Sequence, residues 1–223
     1  MPAGKFITFE GGEGSGKSTQ ARRLADFLRT LGCETVLTRE PGGTPFAEQV
    51  RALILSGATA RHSALAEAFL FFAARSDHVD ALIRPALSRG AWVICDRFSD
   101  STRVYQGVAG AVPFDAIETL DRIVVGDARP DLTLILDIDP AQGLARAMER
   151  RTAKHQRASA PDPYEQRGLQ FHLRLREGYL EIARADPTRC RVIEADGTPD
   201  AIEERVRRAI LDRFSPDLAG GAP

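Results

Sequence analysis

A glycine-rich break between a short apolar run and a helix constrains this chain more than any other feature. Phe6-Ile7-Thr8-Phe9 reads as a buried strand; the chain then passes through Gly11, Gly12, Gly14 and Gly16 and resumes as a helix at Ser18. Inside it lies Gly11-x-x-x-x-Gly16-Lys17-Ser18, the spacing of a phosphate-binding loop. Each residue type there has a physical task. Successive backbone N–H groups can surround a phosphate only where no side chains intervene, which is what glycine permits. The helix beyond adds its free N–H groups and the positive end of its dipole. Lys17 supplies a point charge for the outer phosphates, and the Ser18 hydroxyl can ligate Mg²⁺. An ordinary glycine-rich turn would not need a lysine here, and only three lysines occur in 223 residues. The expected triphosphate cradle is Gly11, Gly12, Glu13, Gly14, Ser15, Gly16, Lys17, Ser18 and Thr19.

Strand and helix patterns then alternate along the chain. Strands are expected at 5–10, 35–38, 91–95, 132–136 and 191–193. Helices are expected at 18–31, 45–55, 63–75, 79–89, 99–107, 114–125, 140–151, 164–185 and 199–214. Such alternation implies a parallel sheet covered on both faces, with ligands at the carboxyl ends of its strands. Polar residues fall at those ends: Glu10-Gly11, Arg39-Glu40 and Asp96-Arg97. There is no linker or internal repeat, so one α/β domain is expected over 1–214. A basic stretch at about 150–163 lacks apolar periodicity and reads as a mobile lid; 215–223 reads as a loose tail.

Composition removes several alternatives. The net charge of −1 gives no global basic field for nucleic acid or a membrane surface. Three widely spaced cysteines suit a reducing cytoplasm rather than a disulfide scaffold. The four histidines show no metal-ligand spacing, and no 18-residue apolar run or leader pattern is present. The guanine-reading string Asn-Lys-x-Asp of a GTPase switch does not occur either.

Three further clusters carry chemistry. Asp96-Arg97 closes an apolar strand; the acid can hold Mg²⁺ through its water shell and the arginine can fork onto a phosphate. Ala68–Ala74 is apolar on every helical face, and Phe71 shares a face with Arg75 at i, i+4, an aromatic plane beside a guanidinium that suits a nucleobase. Phe69 and Phe72 are expected to be core. Arg146, Arg150, Arg151, Lys154 and Arg157 crowd one helix end, where cations could meet a transferring phosphoryl group on closure.

Together, Phe6–Thr19, Thr38-Arg39-Glu40-Pro41-Gly42-Gly43-Thr44, Phe71–Arg75, Asp96–Gly107 (DRFSDSTRVYQG) and the basic stretch near Arg150 resemble bacterial thymidylate kinase, in order over nearly the whole chain. The DRFSDSTxxYQG run is specific to that family; the phosphate loop alone is not. The resemblance implies a three-layer P-loop fold with strand order 2-3-1-4-5. It implies the reaction ATP + dTMP → ADP + dTDP with Mg²⁺, in a homodimer built on the helix near Ala64–Ala74. It implies that Phe71 stacks on thymine, Arg75 meets its O4, and Thr102 and Gln106 approach the base edge. Tyr105 would pack under the sugar, Arg97 would hold the dTMP phosphate, and Glu13 would lie near the 3′-hydroxyl. Arg39, Arg51 and Ser101 complete the expected substrate set; Ser18 and Asp96 are the expected metal residues. Lys17, Arg97, Arg150, Arg151 and Arg157 are the expected catalytic cations, since a loop carrying Glu13-Gly14 and no arginine resembles the subclass whose lid supplies the catalytic arginine. Asp162-Pro163-Tyr164-Glu165 stands where that family has acid-Arg-apolar-Glu. The acceptor is already anionic, with a second phosphate pKa of about 6, so no general base is required.

Overall fold

A computed structural model of the chain describes residues 4–57, 63–153 and 164–219. Five strands form one parallel sheet in the order β2-β3-β1-β4-β5: β1 Phe6–Glu10, β2 Thr35–Arg39, β3 Trp92–Asp96, β4 Leu132–Asp137 and β5 Cys190–Glu194. This is the strand order that the resemblance implied. β1 is central and buried at every position, which is why its sequence shows no polar alternation before Glu10.

The apolar strand runs divide between two faces with period two. Ile7, Phe9, Trp92, Ile94, Leu132, Leu134 and Leu136 pack on α1 (Lys17–Thr30) and α9 (Pro199–Ala219), and the latter adds Ile202, Val206, Ile210 and Phe214. On the other face, Phe6, Val93 and Cys95 meet Val79, Ile83 and Ala86. Ile135 there meets Val104, Leu175 and Tyr179. A buried hydroxyl pair, Thr8 and Thr133, bridges β1 and β4 at 2.8 Å, in register with the strand pairing.

The remaining helices are α2 (Pro45–Leu55), α3 (Ala64–His78), α4 (Arg84–Ser88), α5 (Ser99–Thr102), α6 (Phe114–Val124), α7 (Pro140–Ala153) and α8 (Leu169–Ala185). Thr44 caps α2 by accepting from Ala47 N at 3.2 Å, with Pro45 at the first turn; Ser63 caps α3 in the same way from Ala66 N. The two helices expected at 63–75 and 79–89 are one rod. A π-helical turn, Val79–Ile83, joins α3 to α4 and tolerates Pro85. A second π turn, Arg103–Val108, extends α5.

Two helix ends differ from expectation. α8 begins at Leu169 after Gly168 rather than at Tyr164, which sits in a preceding turn. α9 runs through Pro216 to Ala219 instead of stopping at Phe214, so the expected tail is helical over its described part. α7 continues through Arg150 and Arg151, so the described part of the expected lid is a helix end. Lys154 and Arg157 lie outside the described residues.

Candidate active site

The carboxyl ends of β1, β2 and β3 open into one cavity of about 260 Å³. Its walls bring together Glu13, Gly14, Gly16, Lys17, Ser18 and Thr19 of the phosphate loop with Asp96 and Arg97 after β3, Arg39 and Arg51, Phe71 and Arg75, and Ser101, Thr102, Tyr105 and Gln106. Arg150 reaches it from α7. Arg151 is placed just behind, 3.5 Å from Glu165.

The loop end is built from backbone. Gly16 caps α1 in the left-handed region, φ 94°, with no side-chain cap and no acid in the first turn, so the helix start is left to an anion. Gly14, φ 68°, lies against α7: a Cβ there would sit 1.8 Å from the Gly143 carbonyl oxygen. Ser15 Oγ donates to Gly12 O at 2.9 Å and closes the loop on itself. Lys17 is buried, and its Nζ donates to Gly12 O at 2.7 Å. Burial and the neighbouring Arg97 charge pull its ammonium down to about 8. Ser18 Oγ donates a short hydrogen bond to Asp96 Oδ2, which joins the two expected metal residues.

Arg97 occupies the hub. Its backbone is left-handed, φ 70°, which turns the side chain back over the loop as β3 ends. Its Nη2 donates to Glu13 Oε1 at 2.6 Å and to the Tyr105 hydroxyl at 3.0 Å; its Nη1 meets Gly11 O, Ser101 Oγ and Tyr179 OH, each at 3.2 Å. Burial alone would raise Glu13, but Arg97 and Lys17 beside it outweigh that and hold its carboxyl at about 2. Tyr105 also donates to Glu13 at 2.8 Å.

Glu10, seen from sequence only as a strand end, braces the turn that carries Arg97. Its Oε1 accepts from Phe98 N at 2.8 Å, and its Oε2 accepts from Ser101 Oγ at 2.6 Å. Burial, with the Asp100 charge adding, pushes its carboxyl up to about 7. Tyr179 of α8, which donates to Glu10 at 3.2 Å, also carried no sequence signal, because only the fold brings it 169 residues back to β1.

The other end is built from side chains. Arg75 is 1% exposed, not a surface residue. Its guanidinium carbon lies 5.1 Å from the centre of the Phe72 ring and 5.2 Å from that of Phe98. Its Nε donates to Glu40 Oε2 at 2.8 Å and its Nη2 to Thr102 Oγ1 at 3.0 Å. Its Nη1 is buried with no hydrogen-bond partner. Gln106 Nε2 donates to Glu67 and to Tyr164 OH. Arg39 pairs with Glu48 at 2.8 Å, and Arg51 donates to Pro41 O at 2.8 Å. Phe71 is half-buried; Phe72 is core, as expected, whereas Phe69 is 52% exposed and does not join the core. A helix apolar all round must leave one side outward, and the interior has room only for the other.

Residues 9–206 match the family model described as thymidylate kinase. A protein of Nitrobacter winogradskyi named thymidylate kinase is 51% identical over 94% of this chain and 89% of its own length. Its counterpart in Caulobacter vibrioides is 50% identical over 96% and 99%. The crystal structure of thymidylate kinase from Ehrlichia chaffeensis superposes with a TM-score of 0.74 at 34% identity, covering 94% of this chain and 99% of that one. On this sequence identity, and with a phosphate loop and a buried arginine sharing one cavity, the chain belongs to the thymidylate kinase family.

Proposed function

We propose that the two ends of the cavity hold the two substrates of the reaction ATP + dTMP → ADP + dTDP, with the phosphate loop on ATP and Arg75 on thymine. One observation carries the placement. Arg75 is a buried guanidinium whose Nε and Nη2 are engaged and whose Nη1 has no hydrogen-bond partner, on the wall of the same cavity as the phosphate loop. An unsatisfied buried donor is costly, and the O4 acceptor of thymine satisfies it. Phe71, on the same face one turn earlier, supplies a surface for stacking. Thr102 and Gln106 flank the base edge, and Tyr105 lies beneath the sugar.

The acceptor phosphate needs no base, so the work is alignment and charge neutralisation. Lys17 bridges toward the outer phosphates of ATP. Arg97 takes the acceptor phosphate by exchanging part of its pairing with Glu13, which is then released toward the sugar. Arg150 and Arg151, at the end of α7, approach the transferring group. Ser18 and Asp96 fit Mg²⁺: they are hard oxygen donors already in contact at the phosphate loop. The ion would draw charge from the phosphate oxygens when bound.

The chain acts as a homodimer in this reading, through the outward side of α3. Leu65 and Phe69 are 41% and 52% exposed there and stand one turn apart. A cytoplasmic setting fits three free cysteines. No described helix is long and apolar enough to cross a membrane.

A coupled ADP-release assay across dTMP, dUMP, dCMP, dGMP and thymidine tests the reading. Highest kcat/KM on dTMP, and none on thymidine, is expected. Equal rates on dTMP and dCMP, or preference for the nucleoside, would overturn it. Light scattering at micromolar protein should give twice the 24.3 kDa chain mass; a monomer would remove the dimer.

A further inference from the structure

Behind Arg75 lies a chain of buried polar groups. Glu40 bridges: its Oε2 holds Arg75 Nε at 2.8 Å and its Oε1 holds His78 Nδ1 at 2.9 Å. His78 Nε2 in turn meets Thr38 Oγ1 at 2.7 Å. Arg75 and His78 stand at i, i+3 on one face of α3, so a single carboxylate can reach both. All four side chains are buried, with His78 at 0%. A carboxylate oxygen only accepts, so His78 Nδ1–H donates to Glu40 Oε1, and the Thr38 hydroxyl donates to the other ring nitrogen.

The backbone around this chain is fitted to it. Glu40 N donates to Asp96 O at 3.0 Å, which fixes the carboxylate relative to β3. Gly43, φ 91°, lies directly on the Thr38–His78 contact. A Cβ there would come within 2.5 Å of Thr38 Oγ1 and 2.6 Å of His78 Nε2, so the loop can close over the pair only as glycine.

We infer that Thr38, His78 and Glu40 are positioning residues for base choice: they hold the Arg75 guanidinium in the one orientation that leaves Nη1 for the O4 acceptor of a pyrimidine. The physical reason is redundancy. Arginine has four rotatable side-chain bonds and five N–H donors, and a guanidinium free to pivot could offer cytosine a different edge. The Phe72 and Phe98 rings pack against the guanidinium, and Thr102 takes Nη2. Rotation within its plane is opposed by the charged contact to Glu40, and Glu40 is itself held by His78. Base selectivity in this account depends on residues up to four contacts from the base.

The inference rests on Arg75 reading the base, and the experiment separates the two claims. The kcat/KM ratio of dTMP to dCMP is measured for the parent, Arg75→Ala, Glu40→Asp, His78→Leu and His78→Asn. Melting temperature is recorded for each. Glu40→Asp keeps the charge and shortens the arm by one methylene; it should lower the ratio about tenfold, because a shift near an ångström is enough to lose a directed contact. His78→Leu should lower it by roughly threefold to tenfold, and His78→Asn, which restores a donor to Glu40, should return it to within about twofold of the parent. In an Arg75→Ala background, Glu40→Asp should change the ratio no further. A collapsed ratio in Arg75→Ala with parental ratios in both Glu40→Asp and His78→Leu overturns the relay alone. A parental ratio in Arg75→Ala overturns the base reading and the relay with it. If Glu40→Asp does not fold, Thr38→Val, isosteric and two contacts further out, takes its place, and a small fall in ratio at unchanged stability is expected.

Discussion

The two ends of the cavity solve recognition by different means. The phosphate end is nearly all backbone: Gly11, Gly14 and Gly16 in positive φ, a helix start without a side-chain cap, and one lysine folded back onto Gly12. The base end is nearly all side chain: Arg75 packed on two rings, with Glu40 and Thr102 on its edges and His78 and Thr38 behind Glu40, drawn from β2 and the residue after it, α3 and α5. A phosphate presents the same dense charge in every direction, so a loop of N–H groups suffices. A pyrimidine is distinguished by one donor or acceptor at one point on its edge, so a donor must be held at that point against every other rotation. The first task needs local sequence; the second needs contacts that only the fold assembles.

Removing Lys17 should have the largest effect. Lys17→Ala is expected to lower turnover by about a thousandfold or more, because its charge sits inside the loop, against Gly12 O. Its melting temperature should stay within about 5 °C of the parent. Steady-state rates within tenfold of the parent would remove the phosphate-loop reading.

Next is a contrast inside the loop. Gly14→Ala places a methyl carbon 1.8 Å from the Gly143 carbonyl oxygen at φ 68°, whereas Gly12→Ala meets nothing within 4 Å. The first should cost roughly 2–4 kcal/mol of stability and the second under about 1. Urea denaturation of the two variants decides it; equal losses would mean that the close approach of α7 does not constrain the loop.

The cations at the end of α7 come third. Arg150→Ala or Arg151→Ala should lower kcat by about tenfold or more with little change in KM, the pattern of a contact made only in the transition state. Unchanged kcat in both would move the role to a residue outside the described part of the chain.

The last effect is a slope rather than a single loss. Glu10 titrates at about 7 in the folded chain against 4.5 ordinarily. The folded state therefore holds more protons than the unfolded state between those values, and stability falls as pH rises from about 4.5 to 7. The fall across that window should be on the order of 3 kcal/mol. Glu10→Gln should flatten this decline relative to the parent. Parallel stability–pH curves for parent and variant would show that Glu10 does not titrate there.

The same division explains what could be read in advance. Strand positions and the motif-bearing loops are legible because a buried parallel strand is a continuous apolar run and a phosphate loop is contiguous; the order of the strands follows only from the family resemblance. Ser18 and Asp96, 78 residues apart, were placed together through the rule for strand ends, and their side chains are in contact. The burial of Lys17 is not legible from its place in a glycine-rich loop; it follows from the side chain turning back to Gly12 O. Arg75 is legible from sequence as a base-facing arginine, but its burial is not, because Glu40 and Thr102, which compensate that burial, come from elsewhere. Glu10, His78 and Tyr179 left no local mark, since a buried polar side chain is meaningful only beside its partner. Phe69 and Phe72 could not be told apart by hydrophobicity, and packing on Val112 and Ile117 draws in only Phe72.

The central claim is that the two ends are separable, with Arg75 carrying base choice and nothing of ATP binding. The direct test is kcat/KM on dTMP and dCMP, with KM for ATP, in Arg75→Ala and Phe71→Ala. An arginine facing cytosine meets a donor with a donor, and leaving the buried Nη1 donor without an acceptor costs roughly 1–3 kcal/mol, or about ten- to a hundredfold. Arg75→Ala should lower the dTMP:dCMP ratio by that factor with KM for ATP unchanged, and Phe71→Ala should weaken both pyrimidines about equally. A ratio in Arg75→Ala equal to the parent's, or a fall in ratio matched by a rise in KM for ATP, would contradict the account.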